Sequence, residues 1–168
     1  MEFWFSKFYP NINQFELGNY RGIVNMLIES INSFVSHKFE DICMEIIIYL
    51  NNQMPGYFPF DIQKIGRWWG SSASKTAGKN KEEIDIVGLS ENTKNIIFAE
   101  CKWTDKPVDV PVYNDLKRKA KYVMWNNDSR NEYYLLFSKS GFTDKIRNSA
   151  KSDHVLLFDL NKIEELIK

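Results

Sequence analysis

The sequence predicts an α/β fold with a mixed central β-sheet flanked by helices, after a helical N-terminal part. Helical spacing of apolar residues early in the chain gives way to short apolar runs of strand length, which then alternate with further helical segments. Two of the strand-length runs are separated only by a short polar turn, so they are expected to pair as an antiparallel hairpin. With 168 residues, of which 43% are hydrophobic, the chain is expected to form a single domain, 1–168, with a sizeable core.

The first long element is predicted to be helical. Apolar residues recur with helical spacing from Gly18 to about Met54, which fits two helices or one kinked helix. Pro55 ends the pattern, because proline lacks an amide donor and disfavours a helical conformation in the preceding residue. The aromatic segment 1–17 is expected to be an interface to a missing upstream region or to a second copy of the chain.

Three strands are predicted next, at 63–70, 83–89 and 95–103, and the last two form the hairpin. The run of small polar residues and lysines at 71–83 indicates a loop between the first two strands. The remaining predicted elements are a helix at about 110–125, strands at 131–142 and 154–160, and helices at 143–150 and 161–167.

The amino-acid composition limits the kinds of binding site and the location expected for the protein. Lysine plus arginine equals aspartate plus glutamate at 22 each, so any site for a polyanion is expected to be local. Cys43 and Cys101 lie in apolar runs and are expected to be buried thiols. With only two histidines besides, no structural zinc site is expected. No apolar run has the length of a membrane span, so a cytoplasmic protein without a membrane partner is expected.

The residues that suggest chemistry lie on the predicted hairpin. Glu100 and Lys102 alternate with Cys101 and therefore share one face of their strand. Asp85 alternates with isoleucines on the preceding strand, and hairpin pairing can bring it across from Glu100. Because acidic residues are depleted in strands and costly to bury without a partner, two carboxylates and a lysine here need a reason.

A divalent cation supplies that reason. Mg²⁺ or Mn²⁺ with oxygen ligands would relieve the repulsion between Asp85 and Glu100 and keep both ionised. The metal would polarise a phosphodiester and lower the pKa of its bound water, and Lys102 would orient or help deprotonate that water. The pattern therefore predicts a metal-dependent hydrolytic site, with a salt-bridged patch on a solvated sheet face as the alternative.

The spacing of these residues resembles the D-xn-E-x-K signature of the PD-(D/E)XK nuclease superfamily. Asp85 is followed fifteen residues later by Glu100-x-Lys102, and Ile84 stands where the signature usually has proline. The resemblance implies a restriction-endonuclease-like core and Mg²⁺-dependent phosphodiesterase activity. It also implies an acidic residue on an early helix. Glu40 is the match, beside an apolar stripe, with an ordinary helix-surface carboxylate as the alternative.

Other segments extend the resemblance over almost the whole chain. FWFSKFYPN, FEDIC, IGRWWG, EIDIV and AECKW are together similar to the C-terminal domain of archaeal ATPases of the DUF234 type. In that family a P-loop ATPase domain and a winged-helix region precede this part, so the chain resembles a C-terminal fragment or a stand-alone remnant. Gly78-Lys79 is followed by Asn80, which does not complete a Walker A motif, so no ATP site is expected in this chain.

Basic residues near aromatic ones are the candidates for nucleic-acid binding. They are Arg67, Lys75, Lys79, Lys117 and Lys121. The first three surround Trp68 and Trp69 and suggest an aromatic base that stacks nucleotides, with core tryptophans beside a solvated loop as the alternative. The last two belong to a basic helical run suited to phosphate contacts, with a solvated helix face as the alternative.

The function predicted from these features is a metal-dependent nuclease-like domain that acts on or binds DNA. The alternatives are a catalytically inactive DNA-binding or regulatory module of the ATPase, and a protein-interaction domain with an incidental charged patch. A homo-oligomer formed through the aromatic N-terminus is a further expectation.

Overall fold

The computed structural model describes residues 5–6, 9–18, 20–71, 81–151, 153 and 155–168. These residues group into two compact units, Met1–Phe39 and Glu40–Lys168. The expectation of a single domain stays a prediction. Lys75 and Lys79, two of the predicted nucleic-acid contacts, lie outside the described residues, as do residues 1–4, 7 and 8 of the aromatic segment.

The first unit is helical. It contains a 3-10 turn at Tyr9–Asn11, helix α1 at Ile12–Glu16 and the first part of helix α2, which runs from Tyr20 to Gln53. A single helix therefore covers the region for which the sequence allowed either one helix or two. Four apolar residues spaced along one face of α2 form a stripe, and each is more than two-fifths exposed. They are Val24, Ile28, Ile31 and Phe34.

The second unit is built on a five-stranded sheet in the order β1-β2-β3-β4-β5. The strands are β1 Lys64–Ser71, β2 Lys81–Ser90, β3 Asn95–Lys102, β4 Asn131–Ser138 and β5 Val155–Asp159. Strands β1, β2 and β3 pair antiparallel, whereas β3, β4 and β5 pair parallel. The mixed sheet with its β2–β3 hairpin confirms the fold class predicted from the sequence.

Three further helices complete the second unit. They are α3 Val110–Ala120, α4 Asp144–Ala150 and α5 Leu160–Ile167. Parallel strands need a crossover connection, and α3 supplies it between β3 and β4. The helix buries Tyr113, Leu116 and Ala120 in a core shared with Phe98 and Leu136 of the sheet, and one face of α3 lies over β2 and β3.

Helix α3 ends five residues earlier than the sequence predicted, and Arg130 gives the physical reason. Its buried guanidinium donates hydrogen bonds to the carbonyls of Ala120, Val123 and Trp125, at 2.8, 2.5 and 2.9 Å. Those carbonyls are therefore satisfied outside the helical ladder, and the segment after Ala120 is fixed as a turn. Strand β4 is likewise shorter than predicted, because Ser138 donates to the carbonyl of Gly141 in a turn.

Both cysteines are buried and free, as the sequence predicted. The Cys43 thiol lies within hydrogen-bonding reach of Cys101, and their contact joins the end of α2 that belongs to the second unit to strand β3. In the described part of the chain, no helix combines the length and the apolar character needed to cross a membrane.

Candidate active site

The candidate site begins at an irregularity in β2. Gly66 and Trp68 are two residues apart on β1, but their partners on β2, Val87 and Ile84, are three residues apart. Strand β2 therefore carries one extra residue, a β-bulge, in which Asp85 and Ile86 lie opposite Arg67. Bulges re-aim a side chain and interrupt strand pairing, and for that reason they are common beside active sites.

The Asp85 carboxylate occupies the interruption in the ladder. Regular pairing between β2 and β3 ends at Ile86 and Ala99, although both strands continue beyond these residues. The amide of Cys101 donates to Oδ2 of Asp85 at 2.7 Å. The side chain thus takes over a backbone acceptor position, next to Glu100 on β3.

Glu100 is buried between two lysines. It is only 5% exposed, and it accepts hydrogen bonds from Nζ of Lys102 at 2.6 Å and from Nζ of Lys119 at 3.1 Å. A buried carboxylate without a partner would cost several kcal/mol, so these ammonium groups explain why the strand tolerates it. The sequence prediction that Glu100 and Lys102 are neighbours therefore agrees with the geometry.

The pKa of Asp85 reflects its burial and the neighbouring charge of Glu100. Burial, followed by the negative charge of Glu100, raises the pKa of Asp85 to about 7, although the hydrogen bond from Cys101 opposes the rise. Two desolvated carboxylates that repel each other near neutral pH fit a divalent cation, because its charge removes the cause of the shift.

The remaining ligands of such a cation would come from elsewhere. Among the described residues, no three His, Cys, Asp or Glu side chains converge as a metal-binding group. Mg²⁺ is commonly held by one or two carboxylates together with waters and substrate phosphates, so the pair formed by Asp85 and Glu100 still fits it.

Lys102 is suited to one of the two roles considered for it. Burial lowers its pKa, but the charge of Glu100 and the hydrogen bond to it outweigh burial, and the pKa lies above its ordinary value. The ammonium is therefore protonated at neutral pH. It can orient a water molecule or offset charge on a phosphate, whereas accepting a proton is disfavoured.

Glu40 and Arg67 lie at the border of the site. Nη2 of Arg67, on β1, contacts Oδ1 of Asp41 at 2.6 Å and Oε2 of Glu40 at 3.4 Å. The charge of Glu40 contributes to the raised pKa of Asp85, which places it within electrostatic range of the carboxylate pair. Because Arg67 is already ion-paired, its predicted contact with DNA would require exchange of these partners.

The basic residues of α3 differ in the contacts that they make. Lys119 contacts Glu100, and Arg118 makes a bidentate pair with Glu82 at 2.6 and 2.9 Å. Lys117 lies over the ring of Tyr113, and Lys121 is exposed. Contacts of Lys117 and Lys121 with DNA remain a prediction.

Lys119 is the site residue that the sequence analysis did not single out. The sequence feature that could have identified Lys119 is its position three residues after Leu116, which places it beside the buried face of α3. Its membership of a run of four basic residues suggested a solvated face instead.

The structure places Asp85 on the second strand of a mixed sheet and Glu100 and Lys102 on the third, in the order of the D-xn-E-x-K signature found in the sequence. The chain belongs to the DUF234 family, described as "Archaea bacterial proteins of unknown function", whose model matches residues 4–121. The match covers the predicted acidic residue Glu40, all three residues of the signature and helix α3.

One curated relative and two solved structures are similar to the chain. The uncharacterized protein MJECL04 of Methanocaldococcus jannaschii is 34% identical over 160 residues, covering 94% of this chain but 32% of that protein. The chain thus spans about a third of the length of this relative.

The solved structures are more distant. A crystal structure of a protein of unknown function, AF1548, has a TM-score of 0.42 at 11% identity and covers 71% of this chain and 62% of its own. A repair endonuclease from Pyrococcus abyssi has a TM-score of 0.38 at 12% identity, and the match covers 70% of this chain and 46% of that one. At these scores neither likeness bears on the function.

Proposed function

We propose that the chain is a metal-dependent nuclease-like domain that cleaves phosphodiester bonds in DNA. The observation that carries the proposal is the pair of desolvated carboxylates at the bulge, Asp85 and Glu100, beside a protonated lysine. Asp85 and Glu100 are the ligands for Mg²⁺ or Mn²⁺, Lys102 positions the attacking water, and Glu40 adds a further acidic group at the border.

The chain's own residues divide the work of the site. When bound, the cation supplies Lewis-acid polarisation of the phosphodiester and a water of lowered pKa. Lys102 donates hydrogen bonds to that water or to a phosphate oxygen. Lys119 stays on Glu100, so Lys102 can turn toward the substrate without leaving a buried carboxylate unpaired.

Replacing Asp85 with alanine tests the proposal. The wild type is expected to nick supercoiled DNA in Mn²⁺ but not in EDTA, and Asp85→Ala is expected to show only the background seen in EDTA, because one cation ligand is gone. Gel assays with matched protein concentrations measure this, with the exposed Asp61→Ala as the control variant. Cleavage by Asp85→Ala at the rate of the wild type would sink the assignment.

A second candidate function is an inactive DNA-binding or regulatory module. The ion pairs of Glu100 favour it, because Lys102 and Lys119 already compensate the charge of this carboxylate without a metal ion. In that case the protein would bind DNA with an affinity that falls steeply as salt rises, and would cleave nothing in Mg²⁺ or Mn²⁺. A protein-interaction domain would show neither behaviour.

The partner proposed for the first unit is an ATPase region of the type found in this family, or a second copy of the chain. The exposed apolar stripe of α2 supports a protein partner, because such stripes are normally covered. The greater length of the M. jannaschii relative leaves room for such a region in that protein.

A further inference from the structure

An aromatic groove lies close to the candidate active site in the second unit. Its volume is about 490 Å³, within the range of ligand-binding clefts. Residues of β1 and β2 and of the turn after α3 line it. The apolar members include Trp68, Val87, Leu89, Tyr122, Met124 and Trp125.

The groove continues from the active site along one strand. Val87 and Leu89 follow Asp85 on β2 by two and four residues, which corresponds to about 7 and 13 Å along a strand. A nucleic-acid strand advances by roughly 3.4 Å or more per nucleotide, so a few nucleotides cover that span. A strand whose phosphate lies at Asp85 would therefore bring a neighbouring base to the groove.

The lining favours a flat aromatic ligand beside a polyanion. Trp68 from β1 and Trp125 and Tyr122 from the turn after α3 present rings from separate elements. Lys64 and Arg67 also line the groove, and the Arg118 guanidinium lies 5.9 Å from the ring of Tyr122. Arg67 is paired with Asp41 and Arg118 with Glu82, so each would exchange that partner for a phosphate. The Lys64 ion pair with Glu91 is exposed on both sides, and such pairs exchange partners at little cost.

The turn that carries two of these rings is held in place before any ligand binds. Arg130, whose side chain is only 3% exposed, hydrogen-bonds the carbonyls of Ala120, Val123 and Trp125. The amide of Trp125 also donates to Oδ1 of Asn127 at 2.8 Å. A preorganised wall loses little conformational freedom on binding, which is what a stacking site needs.

We infer that this groove stacks an unpaired base of a single-stranded nucleic acid whose backbone passes Asp85 and Glu100. The position of the backbone rests on the proposed nuclease function, whereas the binding itself does not require cleavage. Stacking on aromatic side chains is tolerant of base identity, so the groove selects unpaired over paired bases rather than one sequence.

The test is fluorescence anisotropy with labelled oligothymidylate and with a duplex of equal length, in EDTA so that nothing is cleaved. Trp125→Ala is expected to bind the single strand about tenfold more weakly or worse, since stacking on one aromatic ring is lost. Trp125→Phe should restore most of the affinity. The matched control is Tyr49→Ala, because Tyr49 is an exposed aromatic residue on α2 and does not line the groove.

A second variant keeps the test valid if Trp125→Ala does not fold. Met124 lines the groove but is 85% exposed, so Met124→Glu should fold normally and still weaken binding by placing a negative charge beside the strand. Equal losses in the Tyr49 and Trp125 variants, unchanged binding in Met124→Glu, or duplex bound as tightly as single strand would each overturn the inference. Selective single-strand binding without any cleavage would support the groove and overturn only the nuclease proposal.

Discussion

Lys102→Ala is expected to lower DNA cleavage by about a hundredfold to a thousandfold, the loss typical of one positioned donor to a developing charge. Folding and Mn²⁺ binding should be retained. The structural reason is that Lys119 still contacts Glu100 at 3.1 Å, so the buried carboxylate keeps a partner. Single-turnover cleavage, Mn²⁺ titration and urea denaturation of the same sample measure the three quantities.

The control for Lys102 is Lys106→Ala, which removes an exposed lysine four residues away and should cleave like the wild type. The double variant Lys102→Ala with Lys119→Ala strips Glu100 of both ammonium partners and should lose about 3–5 kcal/mol of unfolding free energy. Full activity in Lys102→Ala, or a fold as unstable as that of the double variant, would contradict the role assigned to Lys102.

Asp85→Asn is expected to stabilise the metal-free protein more at pH 8 than at pH 5, by about 2–3 kcal/mol. The pKa of Asp85 is raised to about 7 in the folded protein, so folding favours the protonated carboxyl. The stabilisation that the protonated Asp85 carboxyl gives the folded protein is complete below the unfolded pKa, near 4, and is lost as pH rises through about 7. Asparagine has no such proton to lose.

Urea denaturation in EDTA at the two pH values measures this difference, with Asp61→Asn as an exposed control. Mn²⁺ should then stabilise the wild type at pH 8 but not Asp85→Asn, because the cation replaces the proton as the partner of the carboxylate pair. The same pH dependence in both proteins would show that Asp85 is not the group that titrates near neutrality.

The sequence predicted the fold well where periodicity and turn chemistry are strong. The hairpin of β2 and β3 and the shared face of Glu100 and Lys102 follow from alternation alone. The end of α3 was predicted five residues late, because the carbonyls after Ala120 are satisfied by Arg130, a residue ten positions further along the chain. Local spacing carries no information about such a long-range partner.

The candidate site was predictable only in part for the same reason. The bulge that turns the Asp85 carboxylate to the amide of Cys101 depends on pairing between β1 and β2, which the sequence of β2 does not reveal. Lys119 contacts Glu100 because α3 packs over the sheet, and this packing depends on tertiary structure that local sequence does not reveal. The groove beside the site likewise combines Trp68 and Trp125 from distant parts of the chain.

A metal site built on Asp85 and Glu100 is tested by calorimetric titration of Mn²⁺ into the wild type and into Glu100→Gln, which keeps the shape of the side chain but removes its charge. Binding is expected at pH 8 in the wild type, with release of little or no proton because Asp85 is then ionised, and this binding should be lost in the variant. Absence of binding in the wild type, or equal binding in both proteins, would contradict a metal site built on Asp85 and Glu100.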